Sequence, residues 1–144
     1  MAKVKAVCIS EKKGEQKHPV EEALLKVDHG IVGDAHAGNW HRQVSLLAAE
    51  SVEKVQKALE FQLKSGDFAE NILTEGIELF TLPVGTKLRI GEALGEVTQI
   101  GKECHQGCAI RELAGDCVMP REGIFIKVLK EGTIKAGDEI KVVE

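Results

Sequence analysis

Aromatic residues and long apolar runs are scarce in this sequence of 144 residues. Four Phe, one Trp and no Tyr are too few for the stacked aromatic platforms that bind single-stranded nucleic acid. No segment approaches the ~18–20 consecutive apolar residues of a membrane-spanning helix. The net charge of −4 is opposite in sign to that of a typical nucleic-acid-binding domain. We therefore expect neither a nucleic acid nor a membrane as a partner.

We expect neither a signal peptide nor a disulfide framework. The opening residues MAKVKAVCIS contain no long apolar region and no cleavage site, so we expect a cytoplasmic protein with reduced thiols. Three of the four cysteines, Cys104, Cys108 and Cys117, lie close together near the C-terminal end. For a protein in a reducing compartment, this spacing indicates metal binding, redox chemistry or a chance cluster.

Short β-type segments dominate the chain, which we interpret as one domain spanning 1–144. Strands are predicted at 3–9, 43–48, 77–80, 86–90 and 94–100, with a strand and turn in 20–32 and two or three strands in 123–144. One helix is predicted over 49–64, because Val52, Val55, Leu59 and Leu63 recur at intervals of three and four. This pattern predicts a mainly β (α+β) fold, a closed or nearly closed barrel with one longer helix.

The loop 33–43, GDAHAGNWHRQ, combines Asp34, His36, His41 and Arg42 with two glycines. Arg and His donors together suit an anion such as a phosphate. Two histidines five residues apart do not match the i, i+4 spacing of metal ligands on one helix face. The alternative is a polar loop whose Asp and His side chains form turn hydrogen bonds.

Two further segments carry polar or reactive groups. In GDFAENI, residues 66–72, Glu70 and Asn71 follow a glycine turn, and a structural turn is the simpler interpretation. In GKECHQGCAI, residues 101–110, Lys102 and His105 flank Cys104 and favour the thiolate form, which binds soft or borderline metals. A zinc site formed by Cys104, Cys108, Cys117 and one His is an alternative, as is a partly buried, inert thiol.

Four segments, taken together, resemble a known family. They are GIVGDAHAGNWHRQVSLLAAES from residue 30, GDFAENILTEGI from residue 66, VGTKLRIGEALGEVTQIGKECHQGC from residue 84, and EGTIKAGDEI from residue 131. In this order they resemble the MOSC family, the domains found at the C-terminus of molybdenum cofactor sulfurases and as small stand-alone bacterial proteins. The resemblance extends from about residue 3 to residue 143.

The resemblance carries over to particular positions. Residues 33–36 match the family's Gly-Asp-x-His element, 42–45 its start-of-strand element, and 66–71 its Gly-x-x-Gly-Glu-Asn turn, with Ala69 where Gly is usual. The two thiols of the cysteine element, Cys104 and Cys108, are one residue further apart than in the family's Cys-x-x-Cys members. Both thiols are therefore candidates for the metal-binding role that the family implies, with a slight preference for Cys108.

The resemblance implies a protein that binds the molybdenum cofactor (molybdopterin), as a carrier or sulfur-handling domain or as a small molybdenum oxidoreductase. Cys108 and Cys104 would be the metal-binding and catalytic residues. The residues expected to contact the cofactor are Asp34, His36, His41, Arg42, Gln43, Glu70, Asn71, Lys102 and His105. Whether the chain turns over a substrate stays open; an enzyme of this type would perform sulfur transfer or reductase chemistry.

Two alternatives belong to other classes of protein. One is the zinc-stabilised structural or interaction domain, and the other is a persulfide carrier without a metal. The expected protein partners are a cysteine desulfurase or a molybdoenzyme, because the chain has no pyridoxal-phosphate lysine motif with which to extract sulfur itself.

Overall fold

The computed structural model describes residues 2–12, 17–35, 37–57, 62–66, 68, 70–101 and 122–143. The strands are β1 Lys3–Ile9, β2 His18–Val20, β3 Glu22–Lys26, β4 Gly30–Ile31, β5 Val44–Ala48, β6 Ile72–Glu75, β7 Lys87–Ile90, β8 Ala93–Ile100, β9 Ile124–Lys130, β10 Gly132–Lys135 and β11 Ile140–Val143. The helix α1 spans Ala49–Gln56, and a short 3-10 turn spans Leu79–Thr81.

Most strands join one mixed sheet of eight, in the order β11-β7-β8-β9-β5-β6-β1-β2. Its neighbours are antiparallel except for β5 and β6, which are parallel. Parallel neighbours need a crossover connection, and α1 lies in that connection. A second sheet has the order β10-β3-β4.

Apolar side chains pack on both faces of the large sheet. All five residues of β5, VSLLA, are buried, as expected of a strand that is covered on both sides. Leu46 belongs to the main core, whereas Leu47 belongs to a second apolar cluster beneath α1. This second cluster, which we call the helix-side cluster, comprises Leu47, Val55, Leu63, Phe68 and Phe125.

The mainly β prediction is confirmed, but the predicted barrel closure is not. The edge strand β11 pairs with β7, and it approaches β1 through a single isolated bridge between Lys3 and Glu139. The Ile140 N–H also donates to the Ala2 carbonyl at 2.9 Å. Among the described residues these contacts bring β11 close to β1, the strand next to the opposite edge, without a continuous ladder between them.

The predicted strand at 77–80 is wrong. The strand β6 ends at Glu75, and a 3-10 turn occupies residues 79–81. Two hydrogen bonds close this turn: Leu82 N–H donates to the Leu79 carbonyl at 3.0 Å, and the Thr81 hydroxyl donates to the Glu78 carbonyl at 3.0 Å. Leu79 is buried from within the turn, so its hydrophobicity did not require a strand.

The predicted helix over 49–64 is too long, because α1 ends at Gln56 and residues 62–64 are not helical. Leu63 packs in the helix-side cluster from an extended segment. Its N–H donates to the side-chain oxygen of Gln56 at 2.7 Å. An apolar residue in phase with a helix can thus reach the same core from the following loop. Within the described part of the chain, no helix is long and apolar enough to cross a membrane.

Candidate functional site

A buried ion pair fixes the beginning of the loop 33–43. Lys17 Nζ lies 2.7 Å from Asp34 Oδ1, and the side chains of both residues are almost completely buried. Lys17 also donates to the Ser10 hydroxyl at 3.1 Å, while the Ser10 N–H donates to Asp34 Oδ1 at 3.1 Å. We call Ser10, Lys17 and Asp34 the buried charge cluster. It joins the segments that follow β1, precede β2 and follow β4.

The electrostatics of this cluster favour the ionised form of Asp34. Burial raises the pKa of its carboxyl group, but the hydrogen bond and charge of Lys17 lower it, as do hydrogen bonds from the Ser10 N–H and the Asn71 side chain. The net effect places the pKa of Asp34 below its ordinary value of 3.8. Asp34 is therefore ionised near neutral pH and serves as an internal acceptor.

Asn71 holds together three strands at the beginning of β6. Its side-chain oxygen accepts hydrogen bonds from the Ser45 N–H at 3.0 Å and the Ser45 hydroxyl at 3.2 Å. Its side-chain nitrogen donates to the Cys8 carbonyl at 3.1 Å. Asn71 thus links β5 with β1 across β6, and its contact with Asp34 extends the buried charge cluster.

Glu70 organises the turn that precedes β6. Its carboxylate accepts hydrogen bonds from the Gly66 N–H at 2.7 Å and the Phe68 N–H at 3.2 Å, and the residue is 1% exposed. The Gly66 carbonyl in turn accepts the Lys17 N–H at 2.9 Å. Through Lys17, the predicted 66–71 element is therefore connected with the predicted 33–36 element.

Gly66→Ala is expected to destabilise the protein more than Gly85→Ala. Both glycines have positive φ, +91° and +99°, but a Cβ at Gly66 would lie 2.0 Å from the Lys17 carbonyl oxygen, whereas nothing lies within 4 Å at Gly85. Gly85→Ala should lower the free energy of unfolding by about 1–2 kcal/mol, the conformational cost of a positive φ. Gly66→Ala should lower it by a further ~1–3 kcal/mol, because the added methyl group overpacks the site. Urea unfolding of both variants measures the difference, and equal losses would contradict this account of the turn.

A second group of polar side chains lies near the surface and includes residues that directly precede β5. The Arg42 Nε donates to the Gln99 side-chain oxygen at 3.1 Å, and His41 Nε2 lies 3.0 Å from the same oxygen. Gln99 Nε2 donates to the Gly101 carbonyl at 2.7 Å. The Arg42 guanidinium lies 5.3 Å from the centre of the Phe125 ring. We call His41, Arg42 and Gln99 the Arg42 cluster.

Arg42 retains N–H donors that its hydrogen bond with Gln99 does not use. Guanidinium groups carry five N–H donors, and Gln99 takes the one on Nε. The ion pairs among the described residues involve lysines rather than Arg42. The cluster can therefore offer a planar donor pair to an anion from outside the protein.

The Arg42 cluster lies where the cysteine-bearing segment begins and ends. The Gly101 N–H donates to the Gly123 carbonyl at 2.6 Å, so the two ends of residues 102–121 are held together. The predicted site residues Lys102, Cys104, His105 and Cys108, like Cys117 and His36, lie outside the described residues. From the sequence we predict that the loop 33–43 shares one cleft with Cys104 and Cys108, and no described contact tests this.

The described site residues form two groups rather than one. Asp34, Asn71 and Glu70 turn inward and bind other parts of the protein, whereas His41 and Arg42 lie nearer to solvent. Gln43 is 2% exposed, and its side-chain oxygen accepts the Val128 N–H at 2.9 Å. The observed contacts of Asp34, Gln43, Glu70 and Asn71 thus position the backbone; the expectation that these four touch a cofactor gains no support from them.

Sequence reasoning missed Lys17 and Gln99, which complete these two groups. Lys17 stands in the polar segment EKKGEQKHP, where nothing local distinguishes it from its exposed neighbours. Gln99 belongs to a strand of alternating burial, and its position two residues before Gly101 was the only available signal. Among the described residues, no group of three or more His, Cys, Asp or Glu could hold a metal ion.

Comparison with known proteins agrees with this fold. The sequence matches the model of the MOSC domain over residues 33–141. The YUAD protein from Bacillus subtilis has a similar structure, with a TM-score of 0.80 and 19% identity, over 98% of this chain and 94% of that one. YiiM from Geobacillus stearothermophilus has a TM-score of 0.74 and 17% identity, over 100% of this chain and 76% of that one. YiiM from Escherichia coli has a TM-score of 0.70 and 20% identity, over 100% of this chain and 70% of that one. No curated protein matches the sequence significantly.

Identities this low show a shared fold, whereas the family match covers well over half of the sequence. The matched range begins at Gly33 and ends in β11. It thus includes the loop 33–43, the turn before β6 and the complete cysteine segment. The chain therefore belongs to the MOSC domain family, which is associated with molybdenum cofactor sulfurases.

Proposed function

We propose that this protein binds the molybdenum cofactor and serves as a carrier or sulfur-handling domain for it. The observation that carries the proposal is the position of the Arg42 cluster. An arginine with available donors lies where a segment with three cysteines leaves and re-enters the sheet. Family membership supplies the identity of the ligand.

The chemistry of the described residues fits one part of this cofactor. The molybdenum cofactor carries a phosphate, and Arg is the side chain best suited to bind phosphate with two parallel hydrogen bonds. His41 adds a ring nitrogen beside Arg42, and Gln99 orients both through one oxygen. The proposed roles are therefore phosphate binding for Arg42 and His41, and orientation of both for Gln99.

Thiolate chemistry would come from Cys104 or Cys108, as the family resemblance implies. When bound, the cofactor supplies a metal that can take a thiolate ligand or a transferred sulfur atom. Cys104 follows Gly101 by three positions, which span at most ~11 Å when extended. A thiol in the segment that begins beside the Arg42 cluster suits a ligand with a metal at one end and a phosphate at the other.

The direct test is expression in a host that synthesises the cofactor, followed by analysis of the purified protein. We expect molybdenum, pterin and phosphate in equal amounts. Zinc without pterin would identify the zinc-stabilised domain instead. A labile sulfur adduct without metal, detected by mass spectrometry, would identify the persulfide carrier. Either of these two results contradicts the proposal.

Arg42→Gln is expected to weaken cofactor binding about tenfold or more. A hydrogen bond to a charged group contributes about 1.5–3 kcal/mol, which the neutral amide does not replace. Arg89→Gln is the matched control, because Arg89 is exposed on β7 and pairs with Leu94 of β8, five residues along that strand from Gln99. Equilibrium dialysis with measurement of bound molybdenum compares the two. Equal retention by both variants would show that Arg42 does not contact the cofactor.

A further inference from the structure

Basic side chains continue the side of the large sheet on which α1 packs. The helix contacts β5 and β6, and the helix-side cluster extends to β9 through Phe125. Successive side chains of a strand point to opposite sides of the sheet. Lys127, two residues from Phe125, therefore lies on the same side of the sheet as α1. This side then continues over β8, β7 and β11.

Strand register arranges the side chains beyond Phe125 in two rows across these four strands. One row contains, from β11 to β9, Lys141, Arg89, Leu94 and Lys130. The other contains, in the same strand order, Val143, Lys87, Glu96 and Lys127. We call these two rows the basic face. Four of its five cationic residues are exposed, whereas the alternate residues of β7 are buried in the main core.

Like charges stand directly opposite each other on the basic face. Lys141 of β11 is the cross-strand partner of Arg89. Lys87 lies two residues from Arg89 and points to the same side of β7. Like charges at directly opposite positions destabilise a sheet. The arrangement thus has an energetic cost that an anionic partner would relieve.

The carboxylates that lie close to this face have lysine partners already. Glu96 lies 3.6 Å from the ammonium group of Lys127, and Glu139 lies 3.0 Å from that of Lys141. In contrast, the three other cationic residues of the face form no ion pair with a described residue; they are Lys87, Arg89 and Lys130. Their charges are therefore available to a molecule that binds from outside.

Protection of an edge strand explains only one of these charges. Lysines on edge strands discourage pairing with another chain, and Lys141 on the edge strand β11 fits that role. In contrast, β7 and β9 each have a neighbouring strand on both sides. The charges on these two interior strands need a different explanation.

The size and charge of the face favour a protein as the partner. Four strands about 4.8 Å apart make the face ~14 Å wide, and its two rows lie ~7 Å apart. This area matches a local acidic patch. A long polyanion that extended beyond the face would meet a chain with a net charge of −4. The half-buried Leu94 and Val143 add apolar contacts of the kind found between proteins.

The basic face adjoins the Arg42 cluster. Gln99 of that cluster is the cross-strand partner of Phe125, and the Arg42 guanidinium lies over the Phe125 ring. Lys127 follows on the same side of β9, one row further along the strand. A partner on the basic face would thus be in contact with the edge of the proposed cofactor site.

We propose that the basic face docks an acidic surface of a protein partner. Carboxylates of the partner pair with Lys87, Arg89, Lys130 and Lys141. A face of this size suits a small, short-lived complex whose association is accelerated by charge. The further statement that this partner gives or takes the molybdenum cofactor rests on the proposed function.

The first test locates the surface with a synthetic peptide of repeated Glu-Asp-Leu, and a Gln-Asn-Leu peptide is its neutral counterpart. In amide NMR titrations of the cofactor-free protein, we expect the acidic peptide to cause saturable shifts in 87–96, 127–130 and 140–143. The neutral peptide should cause none. Added salt should weaken binding, because it screens exposed charges.

The second test compares two triple variants that change the net charge equally. Lys87→Gln/Lys130→Gln/Lys141→Gln should weaken peptide binding about tenfold or more, since these charges act at short range. Lys5→Gln/Lys26→Gln/Lys135→Gln changes exposed lysines of β1, β3 and β10 and should change affinity at most about twofold. Fluorescence anisotropy of the labelled peptide measures both affinities, and urea unfolding verifies that both variants are folded.

Four results would overturn the docking proposal. They are an absence of saturable shifts, equal binding of the neutral peptide, equal losses in the two triple variants, and tighter binding of a DNA duplex or of phosphatidylserine vesicles than of the acidic peptide. All these measurements use cofactor-free protein. Peptide binding by a protein that fails to retain molybdenum would therefore leave the docking surface in place and refute only the proposed cargo.

Discussion

Lys17→Met is expected to lower the free energy of unfolding by about 3–5 kcal/mol at pH 7, the usual cost of removing one partner from a buried ion pair. The Lys17 ammonium contacts Asp34 and Ser10 in a region almost without solvent access. Met fills a similar volume, so the loss reflects the carboxylate of Asp34 left buried without this positive charge. Urea unfolding monitored by circular dichroism measures the effect.

Two comparisons separate charge from packing. Lys3→Met removes the exposed ion pair with Glu75, whose side chains are 52% and 36% accessible, and should cost at most about 1 kcal/mol. In Lys17→Met/Asp34→Asn neither charge remains, while the amide oxygen can still accept the Ser10 N–H. The double variant should therefore be more stable than Lys17→Met alone.

The pH dependence of stability distinguishes loss of the ion pair from loss of packing. Because the pKa of Asp34 is lowered in the folded state, the stability it contributes is present above its ordinary value near 3.8 and is lost as the pH falls through the folded-state value. In Lys17→Met, burial without Lys17 should raise the pKa of Asp34, so the folded variant takes up a proton more readily. The difference from the wild type should begin to shrink at a pH above the ordinary value of 3.8 and should shrink further as the pH falls through the lowered wild-type value. A difference that stays constant across this range would contradict the ion-pair account.

Cys108→Ser is expected to reduce bound molybdenum by about tenfold or more, because even residues that only support a metal ligand contribute ~10–100-fold to affinity. Serine preserves the size of the side chain and removes the soft thiolate. Cys104→Ser is the necessary comparison, since the family resemblance permits either thiol to bind the metal. Loss of molybdenum in one variant and retention in the other identifies the ligand.

The remaining cysteines are controls for this experiment. Cys117→Ser should retain molybdenum under the proposed function and lose metal under the zinc alternative, which uses that thiol. Cys8 is completely buried in β1 and should resist alkylation in the folded protein. Full retention of cofactor in Cys104→Ser/Cys108→Ser would show that neither thiol holds the metal.

Local patterns in the sequence predicted strands such as β1 and β5 correctly, but they misplaced the strand near 77–80 and made the helix too long. Alternation in KVKAVCI and the short apolar run of β5 have direct physical causes, namely one buried face and two buried faces. The end of α1 was missed because Leu63 continues the helical spacing while it packs from a loop. Periodicity reports which side chains are buried, and the backbone conformation that buries them follows only indirectly.

The candidate site was likewise only partly predictable from the sequence. The sequence drew attention to Asp34, Arg42, Glu70 and Asn71 because polar residues cluster beside glycine turns. It could not predict which of these turn inward, since that depends on partners distant in the sequence. Asp34 meets Lys17 and Ser10, Asn71 meets Ser45 and Cys8, and Arg42 meets Gln99.

By itself, the sequence determined a mainly β domain, a buried central strand and a set of polar loops with the order of the MOSC family. Only the tertiary structure decided that Asp34 is an internal counterion and that Arg42 can offer donors to an anion. The reason is physical: the free energy of a polar group depends on its solvent access and on the charges near it. Both are set by strands and loops that meet only after the whole chain has folded.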